Sequence, residues 1–205
     1  ILEKYEKHGV LHLIHEPSRV LDQAAWVNRM GRLAFDEFNA DLVFHCDADE
    51  FWYPRSGSLK RELLARPWVD VLHANVVNIL MRRRNGEEAF PGDAVYAATK
   101  PFPRGRKQGR DVDNTSFLLF KYPKKVIYKL RKGYLPVTTG NHRIHESVDL
   151  PSLRQGISRD IEVFHFPIRG IEQFARKAIN GGEARENYEK SLGHDVGKQN
   201  WHIRR

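Results

Sequence analysis

A chain of 205 residues is long enough for one sizeable domain with a true core. With 40% hydrophobic and 29% charged residues it has the composition of an ordinary globular protein, and no apolar stretch approaches the roughly 20 residues needed to cross a bilayer. The formal net charge of +8 suits anionic partners such as nucleotides, nucleic acid or an anionic membrane face, although a solvated Lys and Arg surface reads equally well. The single cysteine, Cys46, excludes an internal disulfide and suits a reducing compartment.

In chain order, residues 1–8 place Ile1, Leu2 and Tyr5 on one helical face, with Gly9 where a terminating glycine belongs. This charged helical pattern does not read as a secretory signal. Residues 10–14 read as a short buried strand. Residues 22–38 carry Ala25, Trp26, Met30, Leu33, Ala34 and Phe38 at helical spacing, with Asp22 as N-cap. Residues 42–46 are an apolar run of strand length, and 59–64 read as a short helix. Residues 69–80, rich in Val, Ile and Leu, read as a central strand.

Residues 81–114 change character, with Arg82-Arg83-Arg84, the turn Asn85-Gly86 and the basic run from Arg104 to Arg110. They read as a long basic loop, about 82–114, and such loops are usually functional or disordered. Strand character resumes at 117–122 and 125–128. A turn follows at 138–141, then a strand at 161–166 and a helix at 171–179, which Gly181-Gly182 should stop. The alternation implies an α/β domain spanning 1–205, a mixed, mostly parallel sheet flanked by helices.

In open α/β sheets ligands bind at the carboxyl ends of strands. The run 42–46 delivers Asp47, Asp49 and Glu50 to such an end. In extended backbone Asp47 and Asp49, two apart, point the same way. Like charges side by side are costly unless a cation offsets them. A hard ion, Mn²⁺ or Mg²⁺, prefers such oxygen ligands and shares its other sites with phosphates and water. The bland reading is an acidic turn that caps the next segment.

The string Asp47-Ala48-Asp49-Glu50-Phe51-Trp52 resembles the Asp-x-Asp motif of GT-A-fold glycosyltransferases, closest to the bacterial family 2-like group, whose motif continues Glu-Phe. The segments Gly140-Asn141-His142 and Val163-Phe164-His165-Phe166-Pro167-Ile168-Arg169-Gly170, with Gln173, Phe174 and Lys177, are similar to that group too. The resemblance spans residues 11–177. It implies sugar transfer from a nucleotide-diphosphate donor to a glycan or other hydroxyl acceptor, with inversion, as in polysaccharide biosynthesis. It also implies Asp49 as main metal ligand, Asp47 as donor contact or second ligand, and His165 as histidine ligand. A GT-A fold opens with a strand that holds the nucleotide base, and the resemblance places that strand before Ile1.

His165 ends a strand, where a neutral imidazole can ligate a metal; packing between Phe164 and Phe166 is the plainer reading. An inverting transfer needs a general base within reach of the acceptor hydroxyl. Glu50, His142 and Glu146 are the candidates, with Asp111 and Asp113 in the long loop. His142 also reads as a turn residue bonded to backbone. Arg169 and Lys177 are candidates to neutralise the diphosphate, or else are surface charge. Trp52 is a candidate stacking surface for a sugar, or core. The basic loop would close over an anionic donor. The alternatives are a metal-dependent phosphoester hydrolase, which needs a closed Asp/His cage, and a basic nucleic-acid-binding module. The latter is disfavoured by sparse aromatics, so no nucleic acid is expected. The expected location is the cytoplasm, with peripheral association at the inner face of a membrane.

Overall fold

The computed structural model describes residues 1–17, 22–81, 94–98, 100–102, 116–131, 133–145 and 152–192. Contacts group the chain into two compact units, one of residues 22–178 and one of residues 1–21 with 179–205. The basic run from Arg104 to Arg110, the arginines 82–84, Asn85-Gly86, Asp111, Asp113 and Glu146 lie outside the described residues.

In the unit formed by the chain ends, α1 (Leu2–Lys7) stops as its glycine dictates, with Gly9 at φ 65°. Residues 10–17 have no regular structure, although 10–14 read as a strand. Four apolar residues in a run of five, without ladder partners among the described residues, do not make one, and the Leu13 N–H instead donates to the Glu6 carboxylate at 2.8 Å.

The larger unit is mixed α/β. Its strands are β1 (Leu42–Phe44), β2 (Glu50–Pro54), β3 (Val71–Met81), β4 (Ala94–Ala97), β5 (Lys125–Lys129) and β6 (Gln155–His165). They form one curled sheet in the order β1-β5-β3-β6-β2, with β4 on β3. Helices α2 (Gln23–Asp36), α3 (Leu59–Leu64) and α4 (Ile171–Leu192) complete the elements. Asp22 caps α2 as its sequence implies, accepting from the Ala25 N–H at 3.0 Å. Ser58 caps α3 in the same way. Among the described residues no helix is long and apolar enough to cross a membrane.

The expected mostly parallel pairing is corrected: among the described ladders only β3 and β6 run parallel, and the other pairings are antiparallel. Parallel neighbours need a crossover of a dozen or more residues. Here β5 returns between β1 and β3, and β2 lies antiparallel on β6. The stretch 117–122 is likewise not a strand but holds a 3₁₀ turn at Phe117–Leu119. Helix α4 runs through Gly181 and Gly182 instead of stopping there. A mid-helix glycine costs only about 1 kcal/mol, which a 22-residue helix absorbs.

The core lies on both faces of β5 and β3. Val126 and Tyr128 pack with Val27 of α2, Val43 and Val71 on one face. Ile127 packs with Leu63 of α3, Leu72, Ile161 and Val163 on the other. A strand buried on both faces reads as a continuous apolar run, which is what Val126-Ile127-Tyr128 is. Asn28 on α2 holds residues 134–137 by exchanging two hydrogen bonds with the Val137 backbone, at 3.0 and 2.8 Å. Gly31, one turn after Val27, lets α2 approach that layer. A Cβ there would sit 2.9 Å from Tyr134 Cε2 and 3.0 Å from the Tyr128 hydroxyl oxygen.

Neither ring can give way, because Tyr128 is buried and the Tyr134 hydroxyl donates to Asn28. Gly31→Ala should therefore lower stability by about 1–3 kcal/mol, despite alanine's better helix propensity. Urea unfolding checks this, and a variant as stable as the parent would mean that α2 does not pack this closely.

Candidate functional site

Strand direction gathers the site. β1 and β6 run with β3, and β5 and β2 run against it. The ends of β1 and β6 and the starts of β5 and β2 therefore meet along one edge of the sheet. That edge carries Asp47, Asp49, Glu50, Lys125 and His165, the carboxyl-end position expected for a ligand site.

The acidic segment is a turn and not extended backbone. β1 ends at Phe44, and the Glu50 N–H donates to the Asp47 carbonyl at 2.9 Å. The two aspartates therefore do not present their carboxylates side by side. Asp47 binds the Lys125 ammonium at 2.8 Å, and Glu50 binds the same ammonium at 2.9 Å. Asp49 binds Lys177 of α4 at 2.5 Å and lies 3.8 Å from His165 Nε2. The Phe166 N–H donates to the Asp49 carbonyl at 2.8 Å, which fastens the turn beside His165.

His165 stands between Glu50 on β2 and Asn78 on β3 in one register row. Its Nδ1 is 2.9 Å from the Asn78 side-chain oxygen, and the Tyr122 ring packs against it at 4.7 Å. It is a site residue and a packed one, since only 7% of it is exposed.

Burial sets the electrostatics. It lowers His165 to a pKa of about 4, against the opposing pull of Asp49. Burial, assisted by Lys125, lowers His45 to about 4 as well. For Asp49 burial pushes upward, but the Lys177 hydrogen bond and charge outweigh it and hold the carboxyl below its ordinary range. Lys125 is pushed down by burial and raised more strongly by Glu50 and Asp47. Burial raises Glu50, with Lys125 opposing.

Other expected residues fall elsewhere. Glu50, a candidate base, is buried as the counter-ion of Lys125. His142 is a turn residue: its Nδ1 bonds the Lys124 carbonyl at 3.1 Å and its ring covers Gly140, which has φ 78°. Arg169 is half-buried, and its N–H donates to Gln173 at the start of α4. Trp52 packs in the core, with its indole N–H on the His45 carbonyl at 3.3 Å. Among the described residues no three His, Cys, Asp or Glu side chains converge as a metal shell. Of Asp47, Asp49 and His165, the structure brings Asp49 and His165 together, while Lys125 engages Asp47.

Sequence reasoning missed Lys125 and Asn78. Asn78 left a signal, a polar residue inside Val76-Val77-Asn78-Ile79-Leu80. Lys125 left none, for a lysine pair before a strand reads as solvated surface. No family model, curated protein or solved structure matches this chain.

Lys125→Met should cost about 3–5 kcal/mol, since it strands buried carboxylate charge without a partner. Chemical denaturation measures this, and a loss below about 1 kcal/mol would show that the ammonium does not hold the turn. Stability should also fall with acid. His45 and His165 bind fewer protons folded than unfolded between about pH 6.5 and pH 4, so folding weakens as pH drops through that window. Melting temperature against pH checks this, and a profile flat from pH 6.5 to 4 would contradict it.

Proposed function

We propose that this protein is a metal-dependent glycosyltransferase, which moves a sugar from a nucleotide-diphosphate donor to a hydroxyl of a glycan or related acceptor. The observation that carries the reading is the Asp49–His165 pair. A carboxylate and an imidazole nitrogen from positions far apart in the sequence lie 3.8 Å apart at the carboxyl-end edge of the sheet. Both residues are more than nine-tenths buried. Oxygen and imidazole together suit Mn²⁺, and Mg²⁺ less well, with donor phosphate oxygens and water filling the remaining positions.

The surrounding charges support this. Asp47, Asp49 and Glu50 face Lys125 and Lys177, while burial keeps His165 neutral at neutral pH. Three carboxylates against two ammoniums leave one negative charge for a cation to satisfy. Lys177 is half exposed and sits on a helix, so it is free to exchange Asp49 for a diphosphate oxygen. There it would neutralise charge developing on the leaving group. Asp47, held by Lys125 but still 35% exposed, is in reach of a donor hydroxyl. The net charge of +8 suits an anionic donor.

Isothermal titration with UDP and GDP, with and without Mn²⁺, tests the reading on the parent and on Asp49→Ala. Nucleotide binding should require Mn²⁺ and weaken more than about tenfold in the variant, as expected for loss of a group that holds the metal. Binding indifferent to both Mn²⁺ and Asp49 would sink it.

A further inference from the structure

Asn78 is the polar residue within the run 76–80 of β3, directly opposite His165 in the parallel ladder. It is 4% exposed, so its amide cannot rely on bulk water. Its nitrogen donates to the Leu118 carbonyl at 2.9 Å and lies 3.5 Å from the Phe120 carbonyl. Carbonyls only accept, so these contacts dictate which way round the amide sits. Its oxygen is thereby turned to His165 Nδ1, 2.9 Å away. That oxygen also only accepts, so the hydrogen of this bond belongs to Nδ1.

The consequence falls on the far side of the ring. A ring protonated on both nitrogens would donate from Nε2 to Asp49, but the 3.8 Å separation is too long for that bond. A ring with its single hydrogen on Nδ1 presents a bare lone pair at Nε2. Two acceptors, the Nε2 lone pair and the Asp49 carboxylate, then face each other inside a buried edge. The Lys177 ammonium already meets that carboxylate at 2.5 Å, and a metal cation in its place would be shared by both acceptors.

We propose that Asn78 is a positioning residue that locks His165 in its Nδ1–H tautomer and so aims the Nε2 lone pair at the cation held by Asp49. The lock extends to the 3₁₀ turn at Phe117–Leu119, whose Leu118 carbonyl anchors the amide. The cation rests on the glycosyltransferase reading above; the tautomer does not.

The test has two arms that fail separately. Long-range ¹H–¹⁵N correlation spectra of ring-labelled, metal-free protein at pH 7.5 report which nitrogen of His165 is protonated, with His165→Gln supplying the assignment. The parent should show the Nδ1–H pattern. Asn78→Leu should lose it, and Asn78→Asp should retain it, because a carboxyl protonated toward the Leu118 carbonyl still keeps an oxygen facing Nδ1. Calorimetric titration with Mn²⁺ should then show affinity about 10–100-fold weaker in Asn78→Leu, with Asp49→Ala as reference and Asn78→Asp closer to the parent. An Nε2–H pattern in the parent overturns the inference outright and needs no variant to fold. Parent-like Mn²⁺ affinity in a folded Asn78→Leu overturns it as well. A parent with the Nδ1–H pattern that binds no Mn²⁺ overturns the metal reading and the aim of the lone pair, while upholding the tautomer lock.

Discussion

Removing an ammonium from water costs several kcal/mol unless opposite charge compensates it, and Lys125 is 2% exposed. Asp47 and Glu50 supply that compensation, at 2.8 and 2.9 Å. Lys125 begins β5, a strand buried on both faces, while Asp47 lies in the turn between β1 and β2 and Glu50 begins β2. One buried cation therefore fastens a surface turn to the middle of the sheet. It also separates the roles of the three acids. With Asp47 and Glu50 held by Lys125, Asp49 is the carboxylate that meets Lys177 and His165.

Sheet topology supplies the second half of the arrangement. Antiparallel β5 brings its first residue to the edge where β1 and β6 finish. Parallel pairing of β3 with β6 sets Asn78 opposite His165, and antiparallel β2 sets Glu50 on the other side. The site is thus a row across three strands with a turn folded beside it. Each member is held by a ladder bond or an ion pair, so the geometry belongs to the sheet and not to a loose loop.

Much of the local structure was legible. The Asp22 cap, the Gly9 stop, helix 59–64 and the apolar runs of β3 and β5 follow from propensity and pattern. The acidic turn and His165 were legible as candidates through their place at strand ends. The pairing directions were not, because apolar runs do not encode which strand lies beside which. Nor was the end of α4, since Gly181-Gly182 is a weak stop against helical continuity on both sides. His142, Glu50 and Trp52 look reactive in a list of residues and turn out to be anchored to a carbonyl, a lysine and the core.

The sequence by itself determined that this is an α/β protein with an acidic segment after a buried strand and a histidine ending another. Those features depend on neighbours along the chain, which pattern and propensity report. Only the tertiary structure decided that Asp47 and Asp49 part company, that Lys125 is buried between carboxylates, and that Asn78 stands behind His165. These depend on which distant strands become neighbours and in what register. A shift of one residue in either ladder would turn Asn78 or His165 to the opposite face of the sheet.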